Sequence, residues 1–148
     1  MLLDYDTQHL LSSMGYKSTS RSVSDLKAHL VLVTKYRKKV ITPEILEKLI
    51  DITKSLSTKW GVEIIQTNGE TDHLHILFGY YPQMQISKYV NNIKSVTSRL
   101  INQDFAEHLN NFYWKESVLW TKSYFIASCG GVTIERLKEY VQTQNSPE

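Results

Sequence analysis

The sequence predicts an α+β fold: a ferredoxin-like βαββαβ antiparallel sheet with an extra C-terminal helix. Two observations point to this class. Along the chain the hydrophobic pattern alternates between strand-like runs and a helical period, in the order strand, helix, strand, strand, helix, strand, helix. Breakers fall between the periodic segments, at Thr42-Pro43, Asn68-Gly69 and Cys129-Gly130-Gly131. With 148 residues, 41% of them hydrophobic, the chain has material for one buried core and no second domain.

Each element follows from local composition. Residues 1–24 read as a flexible N-terminal arm, because Ser12-Ser13 and Ser18-Thr19-Ser20-Arg21-Ser22 interrupt any lasting periodicity; residues 25–148 then form a single domain. Ala28 to Thr34 is apolar, rich in Val and Leu and too short for an average helix, which predicts a strand buried on both faces. Thr42-Pro43-Glu44 opens a helix with a cap, a proline at the first helical position and an early acid. Ile45, Leu49, Ile52 and Leu56 continue it on one stripe until Trp60-Gly61. Val62–Thr67 and Asp72–Gly79 read as antiparallel strands, with Asn68-Gly69 expected to supply the positive φ angles of a tight hairpin. The longest helix is expected from Gln85 to Phe105, where Ile86, Tyr89, Val90, Ile93, Thr97, Leu100 and Ile101 keep helical spacing. Trp120–Ala127 reads as the fourth strand and Thr133–Gln144 as a final helix after the glycine pair.

Bulk composition excludes several classes. Lys and Arg exceed Asp and Glu by only 17 to 15 and the pI is near 8.6, so a nucleic-acid partner must be held by a local patch. Cys129 is the only cysteine, which excludes an intrachain disulfide and a Cys-type structural zinc site. Asp4 and Asp6 stand where a signal peptide would carry lysines, and no apolar run approaches the ~20 residues of a membrane span. The expectation is a cytoplasmic protein without a membrane partner.

Two separated pairs carry the chemistry. Residues two apart in a strand share a face, so His73 and His75 point together while Asp72, Leu74, Ile76 and Phe78 point to the other side. A polar strand face is the ordinary explanation of such a pair; convergence on one ion through neutral imidazole nitrogens is the functional one. On the last helix Ile134, Leu137 and Val141 form the apolar stripe, and Tyr140 and Gln144 fall on one flank of it, a helical turn apart. A phenol, with a pKa of about 10, needs help to attack phosphorus at neutral pH. A divalent cation gives that help mainly by polarising a non-bridging phosphate oxygen. Two imidazole nitrogens and the Gln144 amide oxygen leave open positions on Mg²⁺ or Mn²⁺ for phosphate and water. Gln142 has the same chemistry but lies on a different side of the helix from Tyr140.

Lys35, Tyr36, Arg37, Lys38 and Lys39 place four cations and a ring directly after the first strand, where the charges can follow a phosphodiester backbone and the ring can stack on an unpaired base. A solvated charge run is the competing explanation. Arg99, Lys115, Lys122 and Arg21 are weaker candidates for DNA contact. His29, His108 and His9 have no companion in sequence and read as structural or exposed, and Trp60, Trp114 and Trp120 as core or interface residues.

From about Lys27 to Gln144 the chain resembles the single-tyrosine HUH transposases of the insertion sequence 200/605 family. Val33-Thr34-Lys35-Tyr36-Arg37-Lys38-Lys39 is similar to that family's first-strand signature, and Asp72-His73-Leu74-His75-Ile76 to its histidine-hydrophobic-histidine motif. Leu119-Trp120-Thr121-Lys122-Ser123-Tyr124-Phe125 resembles its fourth-strand block, and Gly130-Gly131 and Tyr140-x-x-x-Gln144 follow in order. The resemblance implies metal-dependent cleavage and rejoining of single-stranded DNA at the ends of a mobile element that carries subterminal hairpins. It gives Tyr140 as nucleophile through a 5′-phosphotyrosine, His73, His75 and Gln144 as ligands of Mg²⁺ or Mn²⁺, and Gly130-Gly131 as a hinge. It also implies a homodimer whose active sites can be assembled in trans. The alternatives are a non-catalytic single-stranded nucleic-acid-binding module on the same sheet, which needs none of these four side chains, and a host-adopted relative that processes chromosomal repeats.

Overall fold

The computed structural model describes residues 17–18, 23–114 and 116–129. In chain order its elements are β1 (Lys17–Ser18), β2 (Val23–Ser24), β3 (Leu26–Val33), a 3-10 turn (Lys35–Arg37), α1 (Pro43–Lys59), β4 (Glu63–Gly69), β5 (His73–Tyr80), α2 (Ile86–Asp104), α3 (Ala106–Tyr113) and β6 (Phe125–Ser128). β1 and β2 pair with each other as a short antiparallel ribbon. The other strands form one antiparallel sheet in the order β4-β5-β3-β6. Its first and third strands in sequence therefore lie in the middle, which is the arrangement of the expected ferredoxin-like α+β fold.

One face of this sheet builds the core. Ala28, Leu30 and Leu32 of β3 and Leu74, Ile76 and Phe78 of β5 pack with Ile45, Leu49 and Ile52 of α1 and Tyr89, Val90, Ile93 and Ile101 of α2. Each large side chain so buried contributes about 1.5–3 kcal/mol. The opposite face carries His29, Val31 and Val33 across from Leu77, His75 and His73. Leu77 belongs to a separate small cluster with Ile65 and Cys129, as befits the far side of the sheet.

Caps hold the first helix in place. The Thr42 hydroxyl accepts from the Ile45 amide at 3.2 Å, Pro43 occupies the first turn, and the chain leaves α1 through Gly61 at φ 68°. No helix among the described residues is long and apolar enough to cross a membrane.

Three expectations about local structure need correction. Asn68 and Gly69 pair with His75 and Leu74 in the ladder, so the hairpin turn is Glu70-Thr71-Asp72, closed by the Glu70 amide donating to the His73 carbonyl at 3.0 Å. Gly69 is required for space rather than for φ: a Cβ there would lie 2.7 Å from the His73 carbonyl oxygen and 2.9 Å from Leu46 Cδ1. The fourth strand is shorter than expected, Phe125–Ser128, with Trp120 touching β3 only as an isolated bridge to Thr34. The Trp120 indole donates to Thr97 Oγ1 at 2.9 Å and the Lys94 ammonium donates to the Thr121 and Lys122 carbonyls at 2.8 Å, which ties this segment to α2, while the Thr121 amide still donates to the Val33 carbonyl at 2.9 Å. Finally, α3 was not expected; it breaks from α2 at Phe105 (φ −128°, ψ 35°) and buries Leu109 and Tyr113, one helical turn apart. The glycine pair Gly130-Gly131 and the expected helix Thr133–Gln144 lie outside the described residues.

Tyr89 and Ser57 join the two long helices by a hydroxyl–hydroxyl hydrogen bond of 2.7 Å in the core. Burial pushes the Tyr89 phenol up to about 12. Its folded-state pKa is raised above that of the unfolded chain, so its contribution is intact below about pH 10 and lost as the pH rises through its folded value. Unfolding free energies of the wild type from urea titrations should therefore fall between about pH 10 and 12, by ~2–3 kcal/mol more than those of Tyr89→Phe. Parallel pH profiles for the two proteins would show that the phenol does not titrate this way.

Candidate active site

β5 begins at His73, directly after the hairpin turn, so the strand's period sends His73 and His75 to the face opposite the core. Their rings lie perpendicular with centroids 4.6 Å apart. Both are buried, at 5% and 1% exposure.

Each ring is tied at Nδ1. His73 Nδ1 donates to the Asp72 carboxylate at 2.7 Å, and His75 Nδ1 stands 3.0 Å from His29 Nε2 with those two rings stacked. The His73 Nε2 atom is buried and has no hydrogen-bond partner among the described residues. A carboxylate on one imidazole nitrogen and an unclaimed buried nitrogen on the other is the donor arrangement of a metal-ligating histidine. The residues therefore fit a divalent cation, and nitrogen donors suit Mn²⁺ better than Mg²⁺. Among the described residues no cluster of three or more His, Cys, Asp or Glu side chains is assembled for a metal, so the pair would need a ligand of another type to complete the shell.

Sequence reasoning missed two members of this group. His29 was expected to lack a companion, yet the antiparallel register sets it opposite Leu77, diagonal to His75, and its ring reaches across. It is fully buried, and desolvation holds its pKa below the usual imidazole value. Asp72 was expected to point with Leu74 and Ile76 toward the core. It precedes the strand, so strand alternation does not govern it; its carboxylate turns to His73 and also meets the Arg37 guanidinium at 3.3 Å. The signal for His29 was its position on the neighbouring central strand, two residues from a face-sharing register that only pairing could fix.

The basic segment is folded into the 3-10 turn just beyond β3. Tyr36 and Arg37 both take left-handed backbone angles, φ 59° and 52°. The turn is anchored by the Lys35 amide donating to the Leu119 carbonyl and by the Tyr113 hydroxyl donating to the Lys35 carbonyl, both at 2.9 Å. Lys35 pairs with Glu116 at 3.7 Å, Arg37 reaches the histidine pair through Asp72, and Tyr36, Lys38 and Lys39 are exposed. The patch and the histidines are thus joined by one carboxylate.

Other candidates separate clearly. The His108 Nε2–H donates to the Val40 carbonyl at 2.8 Å, a structural role. Trp120 is core, Trp60 is half-buried with its indole on Asn92, and Trp114, expected to be core or interface, is 77% exposed. Arg99 lines a shallow polar pocket with Ser95, Ser98 and Asn102 on α2, and Lys122 is exposed. Tyr140, Gln144, Gly130, Gly131, His9, Arg21 and Lys115 lie outside the described residues.

The family described as Transposase IS200 like matches residues 22–144. This chain belongs to the IS200-like transposase family. Membership makes it a DNA-processing enzyme by class. Among its relatives, the ISDra2 transposase TnpA of Deinococcus radiodurans is 29% identical over 126 residues, covering 85% of this chain and 89% of the relative. The transposase for insertion sequence element IS200 of Salmonella typhimurium is 23% identical over 128 residues, 86% of this chain and 82% of the relative. In solved structures, a Deinococcus radiodurans R1 protein assigned as a transposase superposes with TM-score 0.70 at 29% identity, over 88% of this chain and 99% of that one. A REP-associated tyrosine transposase, bound in its structure to a REP hairpin, shares the fold at TM-score 0.50 and 11% identity, over 80% of this chain and 61% of that one.

Proposed function

We propose that this IS200-like transposase cleaves and rejoins single-stranded DNA at the ends of an insertion sequence through a 5′-phosphotyrosine formed by Tyr140. The observation that carries the reading is the buried pair His73 and His75, with His73 Nε2 lacking a partner while its Nδ1 is held by Asp72. In this reading His73, His75 and Gln144 hold Mg²⁺ or Mn²⁺. When bound, the ion polarises the scissile phosphate and steadies charge on the leaving oxygen. Tyr140 Oη forms a bond to phosphorus as the bond to the 3′ oxygen breaks, and the phenolic proton passes to solvent while the 3′ oxygen leaves as a hydroxyl. Strand transfer reverses this: a 3′ hydroxyl attacks the phosphotyrosine and the phenol is released. Tyr140 and Gln144 stand outside the described residues. Their roles are supported by the family match, whose span includes both, and by their spacing of four residues in the sequence.

Single-stranded DNA with hairpin ends is the substrate this reading requires. The likeness in fold to a transposase held on a hairpin supports it, as do the cations of Lys35, Arg37, Lys38 and Lys39 beside the exposed Tyr36 ring. A homodimer is part of the proposal, with Gly130-Gly131 as the hinge that lets Tyr140 and Gln144 travel together to either histidine pair. Among the described residues β6 pairs only with β3, so its outer edge is a place where a second copy can extend the sheet.

Purified protein with Mn²⁺ or Mg²⁺ should form a covalent adduct with the 5′ side of an oligonucleotide taken from the element's own borders, seen on a denaturing gel. Tyr140→Phe should yield no adduct while still shifting the hairpin in a native gel; an adduct with the phenylalanine variant would sink the nucleophile assignment. His75→Ala should lose more than the about ten- to hundred-fold typical of an outer-shell change. Full cleavage by that variant, after chelation and metal reconstitution, would remove the histidines from the reaction.

A further inference from the structure

We infer that Asp72 and His29 are positioning residues that hold both candidate ligand imidazoles as Nδ1–H tautomers, and that Arg37 is what makes a carboxylate at position 72 indispensable. The inference rests on the reading of His73 and His75 as cation ligands. A neutral imidazole carries one proton, and it ligates through the nitrogen that lacks it. An ionised carboxylate only accepts, so at 2.7 Å from Asp72 Oδ1 the His73 proton is fixed on Nδ1 and Nε2 is left bare. Between His75 Nδ1 and His29 Nε2, 3.0 Å apart, one nitrogen must donate. The arrangement in which His75 donates is the one that leaves its Nε2 without a proton, as a ligating atom must be, and His29 is then the acceptor. The two ligand rings thus receive the same tautomer from different neighbours, one on the hairpin turn and one on the adjacent strand.

Arg37 gives this arrangement a polarity that residue identity alone does not reveal. Its guanidinium, which has only donors, lies 3.3 Å from Asp72 Oδ2, while Oδ1 serves His73. The Asp72 side chain is 9% exposed, so little water is at hand to substitute for either contact. In Asp72→Asn, nearly the same in shape, Arg37 claims the amide oxygen and the amide NH₂ is turned toward His73 Nδ1. That nitrogen must then accept, its proton moves to Nε2, and the ligating atom is blocked. Asparagine here is therefore an inverting substitution, and Arg37→Ala added to it frees the amide to turn back.

The test is Mn²⁺ titration of the full chain, followed by paramagnetic resonance of the free ion, together with ¹⁵N spectra of the imidazoles in metal-free protein to read each tautomer. The expected results are a loss of about ten- to hundred-fold in Mn²⁺ affinity for Asp72→Asn with His73 converted to the Nε2–H form, and recovery of most of that loss in Arg37→Ala/Asp72→Asn. His29→Gln, whose side-chain oxygen can still accept from His75, should bind Mn²⁺ near the wild-type level, and His29→Leu should not. Wild-type binding with bare His73 Nε2 in a folded Asp72→Asn protein would overturn the inference, as would equal binding by the His29→Leu and His29→Gln variants, a comparison that stands even where Asp72→Asn does not fold. A wild type that takes up no Mn²⁺, or a His73→Ala variant that binds as wild type does, would instead overturn the ligand reading beneath it.

Discussion

The pairing register between β3 and β5 is the constraint on which the remaining structure depends. Val33 meets His73, Val31 meets His75 and Ala28 meets Phe78, all antiparallel. A slip by one residue would send both imidazoles into the apolar layer under α1 and α2 and turn Leu74 and Ile76 out of it. Burying two imidazoles there without partners costs about 1–3 kcal/mol each, and the aliphatic pair loses its packing against the helices. The core and the site therefore select the same register, and neither can be moved without the other.

From that register the site is assembled by its neighbours rather than by β5 alone. The adjacent central strand brings His29, the hairpin turn brings Asp72, and the 3-10 turn after β3 brings Arg37. α3 contributes at a distance: the Tyr113 hydroxyl holds the carbonyl of Lys35 and so fixes the turn from which Arg37 extends. Tyr36 and Arg37 stay in left-handed geometry because such anchors over-determine it. Strain of this kind gathers where a binding surface needs a particular shape.

The order of elements was legible because each strand and helix has its own period: the Leu and Val run of β3, the stripe Ile45, Leu49, Ile52 of α1, and the long repeat of α2. His73 and His75 were legible as a pair because strand alternation is local. His29 and Asp72 were not, since one depends on cross-strand pairing and the other on where the strand starts, and no local period encodes either. The hairpin was misread at Asn68-Gly69 because a dipeptide suited to positive φ is also suited to close packing. The short β6 was misread because the segment before it is tied both to α2 and to the end of β3, and those contacts have no signature in residues 120–124 themselves.

Gly69 has a wider consequence. Its missing side chain leaves room for Leu46 of the first helix on one side and for the carbonyl of His73 on the other. Any methyl group introduced there would press on a histidine backbone and a helix at the same moment. Substitutions at this position would thus be screened twice, once by the packing of the layer beneath the sheet and once by the aim of an imidazole above it. A residue with no functional group of its own becomes a point where pressure to keep the fold and pressure to keep the chemistry coincide.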